Sequence, residues 1–131
     1  MDTCIFCKIL NGSAPSHKIW EDENFFAFLD INPVNPGHTM IIPKHHIDYI
    51  FDLDEPLYSE LFRVTKELSK PIKKATQAGR IGVVIEGFSV SHLHVHLVPI
   101  NDVNELNPTR AKRATAEELE TVAISIRNEL S

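Results

Sequence analysis

Cysteine is scarce in this chain. Its 131 residues hold only Cys4 and Cys7. Two cysteines cannot make a disulfide framework, and a Cys-x-x-Cys pair suggests a reducing compartment with a metal or redox role. Positive charge is short as well: 13 Lys and Arg face 18 Asp and Glu, for a formal net charge of −5. Proteins that wrap the nucleic acid backbone carry a basic surplus, so duplex binding is disfavoured, whereas a nucleotide pocket needs no global charge. No apolar run approaches the ~20 residues of a membrane helix. A basic-then-apolar leader is missing, because Asp2 and Cys4 stand where it would be. A cytoplasmic protein away from membranes is expected. Internal repeats and low-complexity stretches are also absent. What remains is ordinary globular material, 43% hydrophobic and 24% charged. It suffices for one domain over 1–131 with a real core, and not for two.

Histidine, by contrast, is concentrated. Three of the seven fall in His92-Leu93-His94-Val95-His96, followed by Leu97-Val98-Pro99. Strict alternation predicts a half-buried strand, with the three histidines on one face and Leu93, Val95 and Leu97 beneath. Strand rise sets the Cα atoms of His92 and His96 about 13 Å apart. Two nitrogens on one zinc lie within about 4 Å of each other. Neighbouring histidines could share a metal; all three on a straight strand could hardly do so. The three side chains therefore hold different jobs along a line. This disfavours a zinc hydrolase with the whole triplet as ligands. A plain histidine-rich exposed face is the bland alternative.

The rest of the chain reads as α+β. A helical turn covers 3–10, ended by Asn11-Gly12-Ser13. Strands are expected at 17–21, 25–30 and 38–43, with a two-proline loop between the last two. Leu57, Leu61, Val64 and Leu68 recur at helical spacing in a helix over 55–78. Pro56 suits its first turn, Gly79 its C-cap, and Pro71 must kink or split it. A small sheet would leave part of that apolar stripe uncovered. Strands follow at 81–86 and 92–99. Residues 101–114 read as loop. Thr115 then caps a final helix, with Glu118 completing a capping box and Leu119, Val122, Ile126 and Leu130 as its apolar stripe. The order predicts a mostly antiparallel five-stranded sheet covered on one face by the long helix. The core is expected over about 3–100, and 101–131 forms a C-terminal loop and helix.

The chain resembles the histidine triad (HIT) family. The resemblance rests on the triplet itself and on Cys4-Ile5-Phe6-Cys7-Lys8-Ile9, Ala27-Phe28-Leu29-Asp30-Ile31-Asn32-Pro33, Gly37-His38-Thr39 and Ile41-Ile42-Pro43-Lys44. It spans residues 3 to about 100 and implies the HIT fold, usually a homodimer with joined sheets. It implies that His94 attacks the α-phosphorus of a nucleotide and forms a nucleotidyl-histidine intermediate. A neutral imidazole suits that task, and its phosphorylated form is reactive enough for water to finish the cycle. By the same resemblance His96 binds a phosphate oxygen, and Ser89 contacts phosphate or leaving group. Asp30 bonds the ribose hydroxyls, and Phe6, Ile9 and Ile31 line the apolar cleft for the base. Each of these has a plainer alternative: a turn serine, a turn-initiating aspartate, core residues.

For Cys4 and Cys7 the resemblance implies a zinc site completed by His46 and His92, with His45 a possible substitute for His46. Four protein ligands leave no open position, so such a zinc is structural. Two reduced thiols are the alternative. No organic cofactor is implied. The chain also departs from the family: Phe88 stands where glutamine is common, and Ile85 lies near an expected asparagine. Phenylalanine cannot hydrogen-bond a leaving group. A shorter bacterial-type branch shares this Glu-Gly-Phe pattern. Two functions follow as expectations. One is a hydrolase or transferase cleaving at the α-phosphate of nucleoside phosphoramidates or dinucleoside polyphosphates, with a purine nucleotide or its conjugate as ligand. The other is a nucleotide-binding regulatory module with little turnover.

Overall fold

The computed structural model describes residues 3–130; Asp2, read above for the missing leader, lies outside them. The elements are α1 (Ile5–Leu10), β1 (Lys18–Glu21), β2 (Phe25–Leu29), β3 (Thr39–Pro43), α2 (Leu57–Thr76), β4 (Arg80–Val84), β5 (Val95–Ile100) and α3 (Ala116–Asn128). Short 3-10 turns at Ile50–Asp52 and Pro108–Arg110 lie in stretches without a periodic signal. All pairings are antiparallel, in the order β1-β2-β3-β5-β4. Among the described residues no helix is long and apolar enough to cross a membrane.

Alternation divides the sheet into two faces. Phe25, Ala27 and Leu29 of β2, Ile41 of β3, and Val95 and Leu97 of β5 share a core with Leu61, Val64, Leu68 and Ile72 of α2 and Leu119, Ala123 and Ile126 of α3. Phe26, Phe28, Met40 and Ile42 form a second cluster with Phe6 of α1 on the other face. His96 pairs with Met40 on one side and Val84 on the other, so it belongs to that second face.

Several expectations need correction. Only His96 of the three histidines lies in the strand, which begins at Val95. The Leu93 amide instead donates to the Ile47 carbonyl at 2.6 Å, taking the backbone out of the ladder at that point. Leu93 is still buried in the α2 core, so inward apolar packing persists where strand pairing does not. The C-cap of α2 is Gln77, in the left-handed conformation at φ 57°; Gly79 instead has its amide held by Asn101. Helix α2 is not split, although Pro71 sits inside it. The residue that loses its amide partner to that proline is Glu67, which is exposed. Of the apolar stripe of α2, Leu61, Val64 and Leu68 are buried, while Leu57 at its start is half-buried. The Thr115–Glu118 capping box is present.

Gly37 precedes β3 at φ +94°, and a Cβ there would meet Thr76 Cγ2 at 2.5 Å and Pro99 at 3.1 Å. Gly87 has φ +80° but nothing within 4 Å. Gly37→Ala therefore combines left-handed strain with overpacking and is expected to cost about 2–4 kcal/mol. Gly87→Ala carries the strain alone, about 1 kcal/mol. Urea unfolding of both checks this; equal losses would contradict the packing of α2 and β5 against Gly37.

Candidate functional site

The three triad histidines, two cysteines and two further histidines, His38 and His46, gather on the α1 side of the sheet, and hydrogen bonds to carbonyls assign a proton to His92 and to His94. His92 is fully buried, and its Nε2 lies 2.9 Å from the Pro43 carbonyl. A carbonyl only accepts, so Nε2 carries the proton and Nδ1 holds a lone pair. That lone pair faces Cys4 Sγ at 3.5 Å and Cys7 Sγ at 3.6 Å. His46 Nδ1 lies 3.2 Å from Cys7 Sγ. The four ligand atoms of Cys4, Cys7, His46 and His92 all fall within 4.8 Å of one another. Tetrahedral zinc with bonds of ~2.3 Å to sulfur and ~2.05 Å to nitrogen has sulfur–nitrogen edges of roughly 3.6 Å. The donor set fits. His45 is exposed and outside the cluster. Burial, with the Cys4 thiol beside it, holds the Cys7 thiol above its ordinary range. A cation between the two sulfurs would reverse that balance.

His94 is 1% exposed. Its Nδ1 lies 2.7 Å from the His92 carbonyl and must donate to it, so Nε2 holds the lone pair. Among the described residues no buried side-chain nitrogen or oxygen lacks a partner. Nε2 of His94 has no hydrogen-bond partner and is therefore not among the fully buried atoms. Phe6 packs edge-on against His94 at 5.1 Å and against His92 at 5.8 Å between ring centres. Phe6 lies between Cys4, the N-cap of α1, and Cys7, so the Cys/His cluster also positions this ring.

His96 stacks edge-on to His94 at 4.9 Å. Burial, helped by His38 and His94, lowers its pKa to about 4. Its Nδ1 lies 2.9 Å from Nε2 of His38, a residue that sequence reading quoted only as part of a motif. Asp30, His38 and His96 form a second group within metal-ligand range. The 2.9 Å nitrogen–nitrogen separation is the length of a hydrogen bond. Asp30 ends the neighbouring hairpin arm: its amide donates to the His38 carbonyl, and Oδ1 accepts from the Asn32 amide at 2.8 Å. Oδ2 is 3.6 Å from His38.

The remaining expected residues are more exposed. Ile9 is half-buried against the Phe6 cluster, and Ile31 is 42% exposed. Ser89 is exposed in the 86–91 turn, where Phe88 is 94% exposed.

The HIT domain profile matches residues 11–103. The adenosine 5'-monophosphoramidase HNT1 of Candida albicans is 36% identical over 76% of this chain and 72% of its own length. Two crystal structures align along nearly all of the chain. A Hit-like protein involved in cell-cycle regulation from Bartonella henselae has a TM-score of 0.87 at 32% identity, over 99% of this chain and 98% of the other. A zinc-bound histidine triad family protein from Mycobacterium smegmatis has a TM-score of 0.83 at 29% identity, over 98% and 94%.

Burial lowers the pKa of His38 and His96 below the ordinary 6.5. Between pH 6.5 and about 4 the unfolded chain binds more protons at these sites, so stability falls as pH falls through that window. The melting temperature is expected to drop by several degrees from pH 6.5 to pH 4.5. His96→Asn, which cannot titrate, should show a shallower slope; an unchanged slope would contradict the burial of a neutral His96.

Proposed function

The chain belongs to the HIT domain family, and from that membership we propose that it is a hydrolase or transferase acting at the α-phosphate of a purine nucleoside phosphoramidate or dinucleoside polyphosphate. The observation that carries this reading is the protonation of His94. Its Nδ1 proton is committed to the His92 carbonyl, which leaves the Nε2 lone pair free to act as a nucleophile. Attack by Nε2 forms a nitrogen–phosphorus bond. The bond from phosphorus to the leaving group breaks, and the leaving group departs with its electron pair and takes up a proton. Water then attacks the same phosphorus, the nitrogen–phosphorus bond breaks, and the nucleoside monophosphate is released.

His96 donates to a phosphate oxygen as charge builds there. Ser89 serves phosphate or leaving group from the turn above. Asp30 takes the ribose hydroxyls, and Phe6, Ile9 and Ile31 hold the base. A relative named as an adenosine 5'-monophosphoramidase supports this substrate class. Zinc would be held by Cys4, Cys7, His46 and His92, in keeping with the zinc-bound relative. It would supply folding energy and no reactive position, stiffening the segment whose carbonyl orients His94. The same reading takes the protein as a homodimer joined through β4. Support comes from β4 being a sheet edge flanked by exposed Val83 and Phe62.

A regulatory module with little turnover is the second reading, and Phe88 favours it. An exposed phenylalanine offers no hydrogen bond to a departing group.

His94→Ala is expected to lower hydrolysis of an adenosine phosphoramidate by several orders of magnitude while AMP affinity, by calorimetry, stays within a few-fold. Retained turnover would refute the nucleophile. Wild type that binds AMP yet hydrolyses nothing in a panel of phosphoramidates and dinucleoside polyphosphates would select the regulatory reading. Elemental analysis is expected to find one zinc per chain, and Cys4→Ser to lose it together with several degrees of thermal stability. Zinc-free wild type with an unchanged melting temperature in Cys4→Ser would remove the metal.

A further inference from the structure

We propose that His38 is a positioning residue: it forces the proton of His96 onto Nε2, the nitrogen left free to donate to the substrate phosphate. The inference rests on the nucleotidyl-transfer reading above. His38 lies two residues before Met40, the cross-strand partner of His96, so it stands diagonally beside His96 on the same sheet face. It is 4% exposed.

The Val34 amide donates to His38 Nδ1 at 3.1 Å. A backbone amide only donates, so Nδ1 holds a lone pair. Burial keeps the ring neutral, and its one proton is therefore on Nε2. That nitrogen is 2.9 Å from Nδ1 of His96, which must accept. His96 is then left with its proton on Nε2. The opposite tautomer of His96 would press two N–H groups together at 2.9 Å. Asp30 Oδ2, 3.6 Å from His38 Nε2, is too far to claim that proton.

The chain that delivers the Val34 amide is itself tied down. The Asn35 side chain donates to the Pro99 carbonyl at 2.7 Å, and Arg110 donates to Asn35 at 2.9 Å. The Lys112 amide donates to the Pro33 carbonyl at 3.3 Å. The two-proline loop and part of the C-terminal tail thus act on His96 through His38. The consequence is a phosphate donor that needs no reorientation when substrate arrives, and such preorganisation is worth most where charge develops.

Nitrogen-15 NMR of histidine-labelled wild-type protein tests this without any substrate. His96 should show an unprotonated Nδ1 and a protonated Nε2 at pH 7; a protonated Nδ1 would overturn the proposal. Kinetics supply the second arm. His38→Gln can accept from Val34 through its carbonyl and donate to His96 through its amide, so kcat is expected to stay within about threefold of wild type. His38→Leu can do neither and should lower kcat about 10- to 100-fold with little change in KM. Full activity in the leucine variant, or an equal loss in both variants, would also overturn it. If the leucine variant does not fold, the wild-type spectrum and the glutamine variant decide. If wild type turns over no substrate at all, the enzymatic reading fails, and the spectrum alone still decides the tautomer.

Discussion

The site depends on one hydrogen bond, the 2.7 Å contact from Nδ1 of His94 to the carbonyl of His92. It selects the tautomer and aims the free nitrogen. Its acceptor belongs to a residue that is itself pinned twice, by Pro43 at Nε2 and by the cysteine cluster at Nδ1. The Cys/His cluster and the His94 ring are therefore two ends of one short segment. A backbone carbonyl serves this role better than a carboxylate would. It orients the ring without adding a full negative charge beside the phosphate that the proposed mechanism brings there.

Division of labour follows from that constraint. Each neighbouring ring receives a different partner: cysteine sulfur and a carbonyl for His92, a carbonyl alone for His94, and His38 for His96. Identical side chains thus differ in where the proton sits: on Nε2 in His92 and on Nδ1 in His94. The sheet makes this possible by sending Val95 and Leu97 into the α2 core while the α1 face stays free for polar groups. Burial on that face keeps His96 neutral, which suits a ring that must give one hydrogen bond and accept another.

Much of this was legible in the sequence, because period-two alternation and the Cys-x-x-Cys spacing are local signals. The five strands, the capping box at Thr115 and the four-residue cluster at Cys4, Cys7, His46 and His92 all follow from such patterns together with the family resemblance. The misses were non-local. Nothing near His92 reveals that the Ile47 carbonyl takes the Leu93 amide and delays the strand to Val95. Gln77 displaced Gly79 as the cap of α2, although left-handed positions favour glycine. His38 went without a role, since its partner lies 58 residues away and is found only once β3 and β5 are in register. Given that register, the parity of His38, Met40 and His96 would have been enough.

In the proposed mechanism the nucleotide becomes bonded to His94 during turnover. Rapid acid-free quenching of wild-type protein with an adenosine phosphoramidate, followed by intact-mass measurement and peptide mapping, tests this directly. A transient mass increase of one adenylyl group, located on the peptide at His94, is predicted. Rapid turnover with no adduct at any time point, or an adduct on another residue, would contradict it.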